Sequence, residues 1–236
     1  MSGPWQWQVF LQKYDGEHTY LSWLMSAWGW TLMVALSALA VALVVGSLVG
    51  IARTTPMRWL VLLGEAWTEL FRNIPLLVQV FLWYYALPAA LPILQAVPGF
   101  LMVVFALGFY TSARISEQVK AGIQTLPTGQ RYAGLALGLT LPQTYRYVLL
   151  PRAFRILVPP LTSEAMTIVK NSSVAFAVSI PELTMFAMQA QEETSRGVEV
   201  YLAVTALYFI SSFTIGRLAM VVERKLRVPG MVGGKA

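Results

Sequence analysis

The chain contains no cysteine, so it has no disulfide framework and no thiol chemistry, and its redox compartment cannot be read. It has one histidine, His18, which cannot build a metal site alone and reads as a loop residue. No G-x-x-x-x-G-K-S/T run is present, so nothing resembles the loop that cradles nucleotide phosphates. Charge is scarce as well. Asp, Glu, Lys and Arg make up 12% of the 236 residues, where a soluble domain carries about 25%. Apolar residues fill the gap at 57%, which places the chain in the membrane class. Its eight Trp and ten Tyr fit that class, because amphipathic rings favour the headgroup level. The formal charge of +6 then reads as a bias of cytoplasmic loops rather than as nucleic-acid binding.

The N-terminus lacks the charged region of a signal peptide, since its first basic residue is Lys13. Residues 1–26 read as a short external tail. No charge occurs from 27 to 51, enough for one span of about 20 apolar residues. A second uncharged run, 73–113, is too long for one span and is broken by Pro88, Pro92 and Pro98. The helix before that break is expected to start near Trp59, with Glu65, Glu69 and Arg72 along one face. The helix after it is expected from about Phe100 to Glu117. Two more spans are expected at 156–180 and 200–222, followed by a tail at 223–236. The basic residues cluster in the 53–58 turn, the 114–155 region and the tail. That bias puts these on the cytoplasmic side, the N-terminus outside and the C-terminus inside. No inverted repeat is visible.

The segment RYAGLALGLTLPQTYRYVLLPRAF, residues 131–154, is too charged to span and too apolar to be a solvated linker. Two short helices separated at Thr140-Leu141-Pro142 would explain it, with Leu141 pushed from helical geometry by Pro142 and Pro151 marking an end or a kink. It would either lie on the lipid surface or dock a cytosolic partner, Gly134 and Gly138 permitting close approach.

Tyr132-Ala133-Gly134, then Gly138, then Val148-x-Leu150-Pro151 match the spacing of the cytoplasmic Glu-Ala-Ala loop of ABC-importer permeases. Tyr132 stands where that family has Glu, Gly134 for Ala and Val148 for Ile. Further stretches, including FRNIPLLVQVFLWYY, PPLTSEAMTIVKNSS and VERKLRVPG, resemble polar amino-acid permeases, most of all those importing glutamate and aspartate. The resemblance implies an all-α, MetI-like polytopic fold of about five spans within 27–222, with a coupling loop at about 118–155. It implies separate ATPase subunits that receive this loop, a second and different permease chain, a periplasmic amino-acid-binding protein, and lipid around the spans. It implies no cofactor, metal or covalent chemistry here. A stand-alone ion-coupled carrier or channel, and a membrane scaffold, are the other classes open to such a chain.

Charges within apolar stretches are costly and usually face a cavity or a partner. Lys170, with Asn171, Ser172 and Ser173, either lines the path of an anionic substrate or is neutralised by Glu164 or by snorkelling. Arg72 either meets a carboxylate or pairs with Glu69 or Glu65, and Asn73-Ile74-Pro75 reads as a helix start or kink with free amides. Arg114 and Glu117 are expected to pair with each other, and Glu182 to be an outer-loop acid. Arg217 is expected to face headgroups or another helix, and Arg224, Lys225 and Arg227 to be solvated near lipid phosphates.

Overall fold

The computed structural model describes residues 5–226. All elements among them are helical, apart from one isolated antiparallel bridge between Lys13 and Thr19. The expectations for Arg227 and for the Lys225 side chain lie outside what is described, and Arg224 is exposed.

Helix α1, Tyr20–Ala52, is capped by the Thr19 hydroxyl, which accepts from the Ser22 amide. It starts seven residues before the span expected from 27. Its 33 residues extend about 50 Å, more than the roughly 30 Å hydrocarbon core. It is apolar all round: Met33, Leu36, Val44 and Leu48 are exposed, and Ala27, Thr31, Ala35, Ala38, Ala42, Gly46 and Gly50 are buried. These buried small residues, three or four apart, let α1 approach helix α5, Gly99–Gln124, closely along its length. Helix α5 is the hub and also contacts the second and fourth spans. It runs a full seven residues past Glu117, because its charged second half is paired inside the fold.

The second span is not straight. Helix α2, Arg58–Asn73, and helix α3, Leu76–Phe81, meet at 104°. Pro75 supplies no amide and holds Ile74 in extended geometry (φ −95°, ψ 130°), so the helix must stop there. A π-turn at Leu82–Ala86, helix α4 at Leu87–Ala90 and a 3₁₀ turn at Pro92–Ala96 lead to α5. The fourth span is bent too, by 54°. Helix α8, Leu150–Asn171, continues as a 3₁₀ segment at Ser172–Val178, and helix α9 follows at Leu183–Thr194. The acidic run Gln191–Thr194 forms the last turn of α9. Ser195, at φ 54°, reverses the chain into helix α10, Gly197–Leu226. Among the described residues, three helices are long and apolar enough to cross a membrane, and up to five spans result if each bent pair is one.

The N-terminal residues are not a free tail. The 3₁₀ turn Trp7–Leu11 buries Val9 and Phe10 against α1, α9 and α10, and the Gln6 amide donates to Glu199 Oε1 at 2.8 Å. His18 stays in the loop, 2.8 Å from Asp15.

Candidate functional site

The segment matching the loop pattern forms an elbow. Helix α6, Thr128–Ala136, ends at Gly138, whose φ of +82° suits glycine. The Leu139 amide donates to Gly134 carbonyl oxygen (3.2 Å) and the Gly138 amide to that of Leu135 (3.0 Å), the paired bonds of a Schellman stop. The two glycines therefore have different reasons from the one expected. A Cβ on Gly134 would sit 2.8 Å from Thr144 Cγ2, so its close approach is spent within the chain. Gly138 has open space around it and serves the backbone turn.

Helix α7, Leu141–Thr144, starts with a capping box: the Gln143 amide donates to Thr140 Oγ1 and the Thr140 amide to Gln143 Oε1. Leu141 is its first helical residue, contrary to expectation, because Pro142 in the first turn needs no partner there. The extended residue is Thr140. Pro151 neither ends nor breaks the chain. A π-turn at Tyr145–Leu149 precedes it and absorbs the missing amide, so the helix runs on into α8. Val148 and Leu150 are half-buried and Pro151 is exposed. The other end of the pattern faces out: Tyr132 (68% exposed), Ala133, Leu135 and Leu137 (82%) make an uncovered apolar face on α6.

Two charge networks tie the spans together next to this elbow. Arg53, expected in a solvated turn, is buried. Its guanidinium donates to Ser116 Oγ (3.0 Å), Glu65 Oε2 (2.7 Å) and Glu117 Oε1 (2.8 Å). Lys120 Nζ lies 2.6 Å from the other Glu65 oxygen. The Arg53 stem lies against Gly64, where a Cβ would be 2.5 Å from Arg53 Cγ. In the second network Arg114 pairs with buried Glu164 through two bonds of 2.9 and 3.1 Å, and Gln118 Nε2 adds a third. This corrects two expectations: Arg114 does not pair with Glu117, and Glu164 does not neutralise Lys170.

Of the expected path residues, Arg72 and Asn73 lie at the second-span break, and Lys170, Asn171, Ser172 and Ser173 lie where α8 passes into its 3₁₀ segment, ahead of the fourth-span bend. Arg72 pairs with Glu69 at 2.8 Å and lies 3.6 Å from Glu117. Asn73 Nδ2 donates to the Glu69 carbonyl and carboxylate, 2.8 Å each. Lys170 is exposed and forms no ion pair among the described residues. Asn171 and Ser173 are half-buried, while Ser172 is buried with its hydroxyl turned back to the Val169 carbonyl at 2.7 Å. Helix α3, which follows Asn73, packs on the 3₁₀ segment that follows Lys170. The two sets thus flank touching elements, without a hydrogen bond between them among the described residues.

Two polar residues escaped the sequence reading. Gln79 is buried, and its Nε2 donates to the carbonyls of Phe71 (2.7 Å) and Ile74 (3.0 Å), satisfying the second-span break. Its signal was a lone amide within LLVQVF. Glu182 is no outer-loop acid. It is fully buried as the N-cap of α9, accepting from Thr184 and Met185 amides at 2.9 Å each and from Tyr208 Oη at 2.7 Å. Arg217 is exposed and stacks over Phe213, its centre 5.7 Å from the ring.

Comparison with known proteins matches residues 42–228 to the family described as "Binding-protein-dependent transport system inner membrane component". The glutamate/aspartate import permease protein GltJ of Escherichia coli K12 is 43% identical over 246 aligned positions, spanning 100% of both chains. The probable glutamine ABC transporter permease protein GlnM of Bacillus subtilis 168 is 35% identical, over 83% of this chain and 89% of its own. Among solved structures, an amino acid ABC transporter with histidines superposes with a TM-score of 0.76 at 29% identity, over 87% of this chain and 95% of the other. An inward-facing MetNI methionine ABC transporter shares the fold, with a TM-score of 0.77 at 21% identity over 92% and 100%.

Proposed function

Because the chain belongs to the family of binding-protein-dependent transport system inner membrane components, and is a permease of the amino-acid ABC-importer kind, we propose that its cargo is glutamate or aspartate. The observation that carries the importer reading is the elbow: an uncovered apolar face on α6, stopped by Gly138 and set at the family spacing from Val148, Leu150 and Pro151. That face receives a separate ATPase subunit, with Tyr132 and Ala133 on the docking end, Gly134 and Gly138 shaping the turn behind it, and the later three holding the elbow to α8. The acidic cargo is supported by the full-length likeness to GltJ. A second, different permease chain and a periplasmic binding protein complete the assembly in the bacterial inner membrane. The N-terminus and the turn between α9 and α10 at Ser195 face outward, and the 223–236 tail faces inward. The chain moves substrate and performs no covalent step itself.

The path runs between the second-span break, with Arg72 and Asn73, and the α8 end, where Lys170 offers an ammonium without an ion pair among the described residues beside Asn171, Ser172 and Ser173. Co-purification with the neighbouring subunits, followed by ATPase assays with a panel of loaded binding proteins, tests the whole reading. Glutamate- or aspartate-loaded protein is expected to stimulate hydrolysis most. Equal stimulation by glutamine-loaded protein would refute the cargo, and failure to recover an ATPase would refute the importer. Lys170→Gln is expected to lower glutamate uptake about tenfold more than glutamine uptake, the worth of one charge-assisted bond. Equal losses for the two cargoes in proteoliposomes would remove Lys170 from the path.

A further inference from the structure

The elbow is fastened to the membrane domain at one buried point. Tyr145 opens the π-turn and is buried (6% exposed), so it does not belong to the face offered to a partner. Its hydroxyl donates to the Thr54 carbonyl at 2.7 Å and lies 3.1 Å from Thr54 Oγ1. Thr54 follows Arg53 at the end of α1, and the Arg53 guanidinium joins Glu65 on α2 to Ser116 and Glu117 on α5. Gly64 leaves no slack between α2 and the Arg53 stem. Helix α2 ends at Asn73, on the 104° break. Short polar contacts at Tyr145 and Arg53, joined by the chain from Thr54 to Arg53 and by helix α2 itself, therefore lead from the elbow to the break beside the proposed path. Resting on the importer reading above, we infer that Tyr145 is a positioning residue, which passes the elbow's movement through Thr54 and Arg53 to α2 and so opens or closes the second-span break.

The chemistry favours transmission over mere adhesion. A π-turn is a wide, less regular turn that tolerates a change of helix direction. At its start, Tyr145 donates its one hydroxyl proton to the Thr54 carbonyl and contacts Thr54 Oγ1 as well, so the elbow cannot swing without pulling the end of α1. Arg53 offers a planar fork with several donors, and each of its three side-chain partners belongs to α2 or α5. Any shift of that turn must redistribute bonds on both helices.

The test uses the whole transporter, with the second permease, the ATPase pair and the binding protein, in proteoliposomes supplied with glutamate. Tyr145→Phe keeps the ring and removes both hydrogen bonds. The complex is expected to assemble at normal yield, with ATPase activity retained without binding protein. Glutamate moved per ATP hydrolysed is expected to fall about fivefold or more, the usual size of a coupling energy. Thr54→Val leaves the carbonyl acceptor in place, so a smaller loss is expected. Arg53→Lys keeps the charge but cannot hold three partners, so it is expected to lose as much as Tyr145→Phe. The Tyr145→Phe/Arg53→Lys double variant should be no worse than the poorer single, since one path is broken once. A lower melting temperature with unchanged glutamate per ATP would make the bond structural only and overturn the inference. Multiplying losses in the double variant would also overturn it. A wild-type chain that recovers no ATPase would instead remove the importer reading beneath it, a result distinct from either.

Discussion

Gly50→Leu is expected to destabilise the folded chain by about 3 kcal/mol or more, the upper range for overpacking a tight core. Even a Cβ at Gly50 would lie 2.6 Å from Val119 Cβ and 2.9 Å from the Ser116 carbonyl oxygen. A flexible side-chain tip could turn aside, but a Cβ and a backbone oxygen cannot, so α1 and α5 must part. Lipid offers no hydrophobic penalty that would press them together again, and their association depends on close van der Waals contact. Gly46, one turn earlier, is as tight, with Ile115 Cβ and the Ser112 carbonyl both 2.7 Å from an added Cβ. The separation would also pull Ser116 and Glu117 from Arg53, so the loss is expected to extend beyond the local clash. Gly29→Leu on the same helix is the control, because nothing lies within 4 Å of its added Cβ. Thermal unfolding in detergent should show a large drop for Gly50→Leu and little change for Gly29→Leu. Matching melting temperatures for the two variants would show that the α1–α5 seam does not depend on small residues.

The parts of this architecture legible in the sequence are those set by local composition. The uncharged run at 27–51 marked α1, the prolines at 88, 92 and 98 marked the turn before α5, and Asn73-Ile74-Pro75 marked the second-span break. Arg72 found Glu69, its i−3 neighbour, because that pair needs only a helix. Pairings across the fold were not legible. Arg53 meets a partner 64 residues away in Glu117, and Arg114 meets one 50 residues away in Glu164, while its sequence neighbour Glu117 points to another helix. Periodicity places a residue on a face but does not say which helix that face meets. The same limit hid Gln79, whose amide matters only because the chain bends beside it, and misplaced Gly134, whose neighbour Thr144 is brought close by the Gly138 turn. Glu182 was misread for a related reason: an acid after a proline in a short break reads as solvated, and its burial depends on α1 and α10 closing over it.

Glu182→Ala is expected to cost about 3 kcal/mol, combining a lost N-cap with buried donors left unmet. Its carboxylate satisfies two of the first amides of α9 together with the Tyr208 hydroxyl, and the next amide, Leu183, donates to Thr31 Oγ1 at 3.0 Å. Glu182 and Thr31 are both fully buried, so this cap sits inside the packed helices. Water has no access to replace the missing acceptor there, and buried broken helices survive only when protein groups satisfy their ends. Alanine would leave the Thr184 and Met185 amides bare and deprive Tyr208 of its acceptor, so the start of α9 would fray and loosen its contacts with α1 and α10. Glu182→Gln keeps one oxygen in place and is expected to recover part of the loss, whereas Glu182→Leu fills the space without an acceptor and is not. Melting temperatures in the order wild type, Gln, then Leu and Ala together would establish hydrogen bonding as the reason for the acid. A leucine variant as stable as wild type would show instead that α9 is held by packing alone, and that the buried carboxylate serves some end other than stability.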